Sequence, residues 1–201
     1  DVTIKGLTLQ TSNGAIGSVG GNNISVLCNN IGTDATGSGN SPTSGTSGIE
    51  FQTVTNSTIG QSGMGNVIGN QQNSPIRIQN TSDTISITGN RIGVNALGNA
   101  SLVNFTSSGM SILNSSNITI GAIGAGNENV ISGFDGDINS SEGILITGGT
   151  HITLKNNYIG TDITGTIAIP NGQQGVEVCG ALTCGGGNPS TTDLIIGGPN
   201  P

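Results

Sequence analysis

Eleven Asp and Glu, four Lys and Arg and a single His make up the whole charged inventory of this 201-residue chain. Candidates for acid–base or metal chemistry can therefore be weighed one at a time. Asp135 and Asp137, in Phe-Asp-Gly-Asp with Glu142 close behind, form the densest acidic cluster. The pattern falls short of the alternating carboxylate loop that wraps a calcium ion, so a solvated turn is the expectation. Asp34 and Asp162 open two equivalent loops, and Asn95 opens a third between them. An Asp that trades places with Asn points to turn chemistry, where the side chain bonds backbone two residues on. His151 precedes a strand and has no Ser or Cys in a nucleophile pattern. Lys5, Arg77, Arg91 and Lys155 are scattered over different turns. Arg77 is expected one coil from Glu50, in an exposed pair worth under about 1 kcal/mol. No catalytic residue, metal ligand or cofactor is expected.

Cys179 and Cys184, in Cys-Gly-Ala-Leu-Thr-Cys, are spaced for a small disulfide loop, which would fit an oxidising compartment. Cys28 is left over and reads as a small packed residue at a strand end. Eight Asn-x-Ser/Thr sequons begin at Asn23, Asn56, Asn80, Asn99, Asn104, Asn114, Asn117 and Asn139. In so Asn- and Thr-rich a chain, chance accounts for most of them, and glycosylation depends on the source. A net charge of -7 leaves no basic patch for nucleic acid or an anionic membrane. No apolar run approaches the length of a spanning helix, so no membrane insertion is expected. The chain opens on Asp1 without Met or signal peptide, which predicts a processed product or a piece of a longer polypeptide.

The elements that must carry these residues are short strands in fixed order. Ile152-Thr-Leu-Lys-Asn-Asn-Tyr-Ile-Gly-Thr-Asp-Ile-Thr-Gly165 has a close copy from Ile24 to Gly37 and a weaker one from Ile85 to Asn95. Such recurrence marks a repeat architecture. Three strands per coil are predicted. The first begins at Val2, Ile24, Ser57, Ile85, Ile118, Ile152 and Leu194; the second follows an Asn; the third begins at Ile49, Ile76, Met110, Ile144 and Val176. Period-two alternation sends Ile, Val, Leu, Met and Phe inward. Thr3, Ser25, Thr58, Ser86, Thr119 and Thr153 go outward on the first face, and Glu50, Arg77, Ser111, Leu145 and Glu177 on the third. The outward hydroxyl column is read as ordinary strand surface. Parallel pairing of each strand with its equivalent in the next coil, about 4.8 Å away, would stack like on like.

The prediction is an all-β parallel β-helix of about six to seven coils. It forms one β-solenoid domain over 1–201, with a degenerate first coil over 1–22, the start of a further coil over 194–201, and no capping helix. Asn29, Asn66, Asn90, Asn129 and Asn157 hold one place before the second strand and are expected to form a structural amide ladder. Two kinds of coil alternate. One carries loops 34–47, 95–108 and 162–174 on one flank; the other carries Gly-rich insertions at 60–65 and 121–128.

Asn-x-Ile-Gly-Thr-Asp-x-Thr-Gly, at 29–37 and 157–165, and Asn-Val-Ile, at 66–68 and 129–131, resemble the right-handed parallel β-helix repeat proteins of bacterial secreted and surface polypeptides, within the pectin-lyase-like superfamily. The resemblance covers nearly the whole chain. It implies an extracellular or cell-surface location and either of two roles. One is a non-enzymatic structural or adhesive β-solenoid, whose partners are flanking coils or copies of itself joined end to end into a filament. The other is a polysaccharide lyase, glycoside hydrolase or glycan-binding module, with surface glycans as partners. The near-empty reactive inventory favours the first. Uncapped ends would expose strand edges that template further pairing.

Overall fold

Alternation of branched apolar residues with Ser and Thr, cut into pieces of two to six residues by Gly and Asn, cannot bury an apolar face within one layer. The computed structural model, which describes residues 1–41, 45–102, 108–135, 141–180 and 190–198, resolves this by coiling. The first coil carries β1 (Val2–Lys5), β2 (Thr8–Leu9) and β3 (Ile16–Val19); the second β4 (Ile24–Leu27), β5 (Asn30–Ile31) and β6 (Ile49–Gln52). The third carries β7 (Thr55–Ile59), β8 (Val67–Ile68) and β9 (Ile76–Gln79); the fourth β10 (Asp83–Ile87), β11 (Arg91–Ile92) and β12 (Met110–Leu113). The fifth carries β13 (Ser116–Ile120), β14 (Val130–Ile131) and β15 (Ile144–Thr147); the sixth β16 (Gly149–Leu154), β17 (Tyr158–Ile159) and β18 (Val176–Cys179). A further first-sheet strand, β19 (Thr191–Ile196), follows. The described residues contain no helix.

Like strands pair in parallel through the whole stack. The first sheet runs β1-β4-β7-β10-β13-β16-β19, the second β2-β5-β8-β11-β14-β17, and the third β3-β6-β9-β12-β15-β18. This is a parallel β-helix, as the alternation predicts. The register puts Ser25 beside Thr58, Thr58 beside Ser86, Ser86 beside Thr119 and Thr119 beside Thr153, all facing outward. On the third sheet Glu50, Arg77, Ser111, Leu145 and Glu177 align in the same way. Equivalent residues lie from 22 apart in sequence, Leu7 and Asn29, to 42 apart, Thr150 and Thr192, because the turns differ in length.

The main core is a narrow column of mostly aliphatic side chains, with a second, smaller cluster of Val94, Val130 and Ile169 beside it. Ile31, Ile68, Ile92 and Ile131 stack from the second sheet, meeting Ile59, Ile87 and Ile120 from the first and Phe51, Ile78, Ile112 and Ile146 from the third; all are fully buried. Each buried Ile withdraws roughly 1.5–3 kcal/mol worth of apolar surface from water. Repetition along the axis, rather than thickness, makes the core sufficient.

Two features extend beyond the sequence-based strands. First, β7, β10, β13, β16 and β19 begin two or more residues earlier than the alternating triplets. The extra turn of strand is hidden by a residue in left-handed conformation: Asn56 (φ 49°), Thr84 (φ 56°), Asn117 (φ 54°), His151 (φ 54°) and Asp193 (φ 50°), continuing from Asn23 (φ 55°). A left-handed residue breaks the period-two alternation, and Asn tolerates that region better than most. Second, loops after the second strand carry short antiparallel bridges, Thr33 with Asn40, Val94 with Ser101 and Thr161 with Ala168.

Candidate functional site

Side-chain polar groups concentrate at three places, each built by the stacking. The first is the corner between the first and second sheets. Asn29, Asn66, Asn90 and Asn129 are fully buried there, and Asn157 is half-buried in the last full coil. The Asn29 Nδ2 donates to Asn66 Oδ1 at 3.0 Å, Asn66 to Asn90 at 2.9 Å, Asn90 to Asn129 at 3.0 Å and Asn129 to Asn157 at 2.9 Å. Each Oδ1 also accepts the backbone N–H of the preceding Asn, as from Asn66 N to Asn90 Oδ1 at 3.0 Å. Each Nδ2 makes a second bond back to a first-sheet carbonyl: Ile4, Val26, Ile59, Ile87 and Ile120 in turn. Two donors and two acceptor lone pairs are thus used on every interior amide, which is what a buried amide requires. The first coil has Leu7 at this place, and its N–H donates to Asn29 Oδ1.

The second place is the flank of loops that follow the second sheet. Asp34 Oδ1 accepts from Thr36 N (3.0 Å), Thr36 Oγ1 (2.7 Å) and Ser38 N (3.1 Å), and its Oδ2 accepts from Gly39 N (3.1 Å). Asp162 repeats this with Thr164 Oγ1 (2.8 Å), Thr166 N (3.1 Å) and Ile167 N (3.1 Å). Asn95 makes the amide version, accepting from Asn99 N at 3.1 Å. The Thr36 hydroxyl bond, followed by the backbone donors, holds the Asp34 carboxyl below the usual carboxylate range. At Asp162, burial pushes upward and the backbone and Thr164 hydrogen bonds overcome it, so its carboxyl also lies low. Both carboxylates are spent on their own loop. The loops in turn dock on one another: Ala96 N donates to Gly37 O and Ile163 N to Gly98 O, both at 2.8 Å. The recurring Asx-x-x-Gly, as in Asp34 to Gly37, was the sequence signal for this flank.

The third place is built around Glu142 and Glu177. Asp135 is exposed at the end of its segment, while Glu142 is buried and accepts a 2.6 Å bond from Ser108 Oγ. Asp137 lies outside the described residues. Glu142 is instead brought to Glu177 of β18: burial, the Glu142 charge and a hydrogen bond between the two carboxyls push Glu177 upward. Among the described residues no group of three or more His, Cys, Asp or Glu is placed to hold a metal ion.

Other predicted residues separate. His151 and Asp193 form an exposed pair, Nε2 to Oδ2 3.5 Å, next to each other in the left-handed column. Arg77 Nη1 lies 3.8 Å from Glu50 Oε1, as expected from one coil's offset, but Gln79 and Gln52 hold that same oxygen at 2.6 and 2.7 Å. Cys28 is free and half-buried, and adopts φ 53° in the short turn before Asn29. Cys179 is disulfide-bonded, and Cys184 lies outside the described residues. The sequons are not scattered. Asn23, Asn56 and Asn117 occupy the left-handed column, and Asn80 (φ 57°) and Asn114 (φ 48°) occupy a second one at the corner before it. A left-handed turn favours Asn, and two residues after Asn23, Asn56 and Asn117 comes an outward position that favours Ser or Thr. The fold itself writes those sequons. Asn104 and Asn139 lie outside the described residues.

No protein-family model matches this chain, and neither a curated protein nor a solved structure matches it.

Proposed function

We propose that the chain is a non-enzymatic structural segment of an extracellular or cell-surface β-solenoid. It builds a stiff rod whose partners are further coils, either flanking ones or those of another copy joined end to end, and whose loop flanks are available for adhesion. On this reading it belongs with the non-catalytic repeat members of the pectin-lyase-like superfamily. The observation that carries the reading is the use of polar side chains. The buried amides hydrogen-bond to the next coil, and the two loop carboxylates are consumed by their own turns. A polysaccharide-active enzyme finds less support, because Asp34 and Asp162 are engaged by their own loops and Glu142 by Ser108.

The open faces of the stack support coil-on-coil pairing. Ile196 is 57% exposed, whereas Leu154 and Ile120 in the same column are 3% and 0% exposed. Val2, Leu7 and Val19 at the first coil, and Val178 near the last, are likewise exposed. Apolar columns and unpaired strand edges together form a template for one more layer. Sedimentation and negative-stain microscopy over rising concentration test this. Rods of constant width that lengthen, and that vanish in Ile196→Lys or Val19→Lys, are expected. A chain that stays monomeric up to millimolar concentration overturns the end-to-end version.

A further inference from the structure

Arg91 is one of four basic residues in a chain of net charge -7. It occupies the outward position of β11, in the column of Asn30, Val67, Val130 and Tyr158. Its stem passes beneath the loop at Gly98, where a Cβ would sit 3.1 Å from Nε. The Nε is buried without a hydrogen-bond partner. The only hydrogen bond recorded among the described residues is from Nη1 to Asn90 O, at 3.5 Å. A guanidinium has five N–H donors and is costly to desolvate unless they are met. Burial lowers the Arg91 pKa, and the Glu128 charge opposes that fall. Yet no described carboxylate comes within ion-pair distance of Arg91. The Glu128 Oε2 is taken by Gly126 N at 2.8 Å.

Arg91 lines a cleft of about 280 Å³, together with Gly63, Gly65, Gly89, Gly126 and Ala96. The cleft is a product of the two-coil alternation. The insertions at 60–65 and 121–128 reach past the short turn at Gly89 and meet, Ser62 Oγ donating to Ala125 O at 3.1 Å. Gly89 N also bonds Asn127 O at 3.3 Å. The opposite wall is the loop of Ala96, fixed to the neighbouring loop through Gly37 O at 2.8 Å.

We propose that this cleft is a binding site for a small oxyanion, a planar carboxylate or a tetrahedral sulfate on a ligand arriving from solvent. The anion meets the unused donors of the Arg91 fork, which matches two oxygens at once. Packing of the stem under Gly98 explains the buried Nε; it does not supply a carboxylate, among the described residues, to pair with the charge. The Glu128 carboxylate, close enough to act on Arg91 through its charge, opposes an incoming anion and sets its affinity.

Titration with sodium acetate and, separately, sodium sulfate at constant ionic strength tests the site, read by ¹⁵N–¹H spectra of the intact chain. Saturable shifts confined to Arg91 Nε–H and to the amides of Gly63, Gly65, Gly89 and Gly126 are expected, and the stronger of the two arms identifies planar or tetrahedral recognition. Arg91→Gln should abolish the shifts while Ser86 and Asn66 keep their native positions, showing that the variant folds. Glu128→Gln should tighten binding about threefold or more, as expected for removal of a like charge. Unsaturable shifts, shifts that survive in Arg91→Gln, or weaker binding in Glu128→Gln overturn the proposal and leave the structural reading of the rod untouched.

Discussion

Asn90→Ala removes the middle rung of the amide ladder, and its cost can be worked bond by bond. Asn90 Oδ1 accepts from Asn66 N and Asn66 Nδ2, at 3.0 and 2.9 Å; Asn90 Nδ2 donates to Ile59 O, Thr88 O and Asn129 Oδ1, at 2.8, 3.0 and 3.0 Å. After truncation Asn129 Oδ1 keeps the Asn90 backbone N–H, Asn66 Nδ2 keeps Val26 O, and Ile59 O keeps Thr88 N. Asn66 N–H loses the acceptor the structure gives it, in a fully buried place. One stranded buried donor costs about 1–3 kcal/mol, and thinning of the shared acceptors adds to it. Urea denaturation followed by far-ultraviolet circular dichroism should therefore show a loss of at least about 1 kcal/mol. Ser86→Ala, an outward-facing change on the adjacent strand, should stay within about 0.5 kcal/mol. If Asn90→Ala costs no more than Ser86→Ala, the ladder is decoration and the reasoning fails.

Further expectations concern titration and turns. The Asp162 carboxyl is held low, so its contribution is fully present above the ordinary Asp value near 4 and is lost as pH falls through its own lower value. Urea midpoints between pH 5 and 2 should fall less in Asp162→Asn than in the parent chain; equal slopes would contradict the loop chemistry. Glu177 carries the opposite sign: its carboxyl is pushed up, so stability is fully present below the ordinary Glu value and declines as pH rises through the raised one. Glu177→Gln should flatten that decline, and a steeper one would count against the acid pair. Gly93 has φ 80°, and a Cβ there would run into the Ser132 carbonyl and the Phe134 ring. Gly93→Ala should lose on the order of 1–3 kcal/mol or more by thermal unfolding. At the exposed left-handed Asn117, Gly should be neutral within about 0.5 kcal/mol, whereas Val should cost about 1–3 kcal/mol.

The coil was legible because two signals agreed. Alternation placed Ile24 and Val26, or Ile118 and Ile120, on one face, and the Asn before each second strand kept constant phase with them. The opening residues of β7, β10 and β13 were hidden because Asn56, Thr84 and Asn117 bend the chain through the left-handed region and reset the alternation. The turn role of Asp34 and Asp162 followed from Asn95 standing in their place, but the docking of one loop on the next did not. Contacts such as Ser62 with Ala125, or Glu142 with Glu177, join residues from different coils whose turns vary in length. Nothing local encodes them; they appear only once the register of the stack is known. The acidic trio read at Asp135, Asp137 and Glu142 was grouped by sequence proximity, whereas the stack pairs Glu142 with an acid from the following coil.

Coil-on-coil register is the claim on which every other statement rests, and nuclear Overhauser contacts along the outward hydroxyl column test it most directly. The stack predicts sequential parallel-strand contacts from Ser25 to Thr58, Thr58 to Ser86, Ser86 to Thr119 and Thr119 to Thr153. Close Hα–Hα contacts between these strands, the mark of antiparallel pairing, or contacts shifted by a residue in any coil, would contradict it.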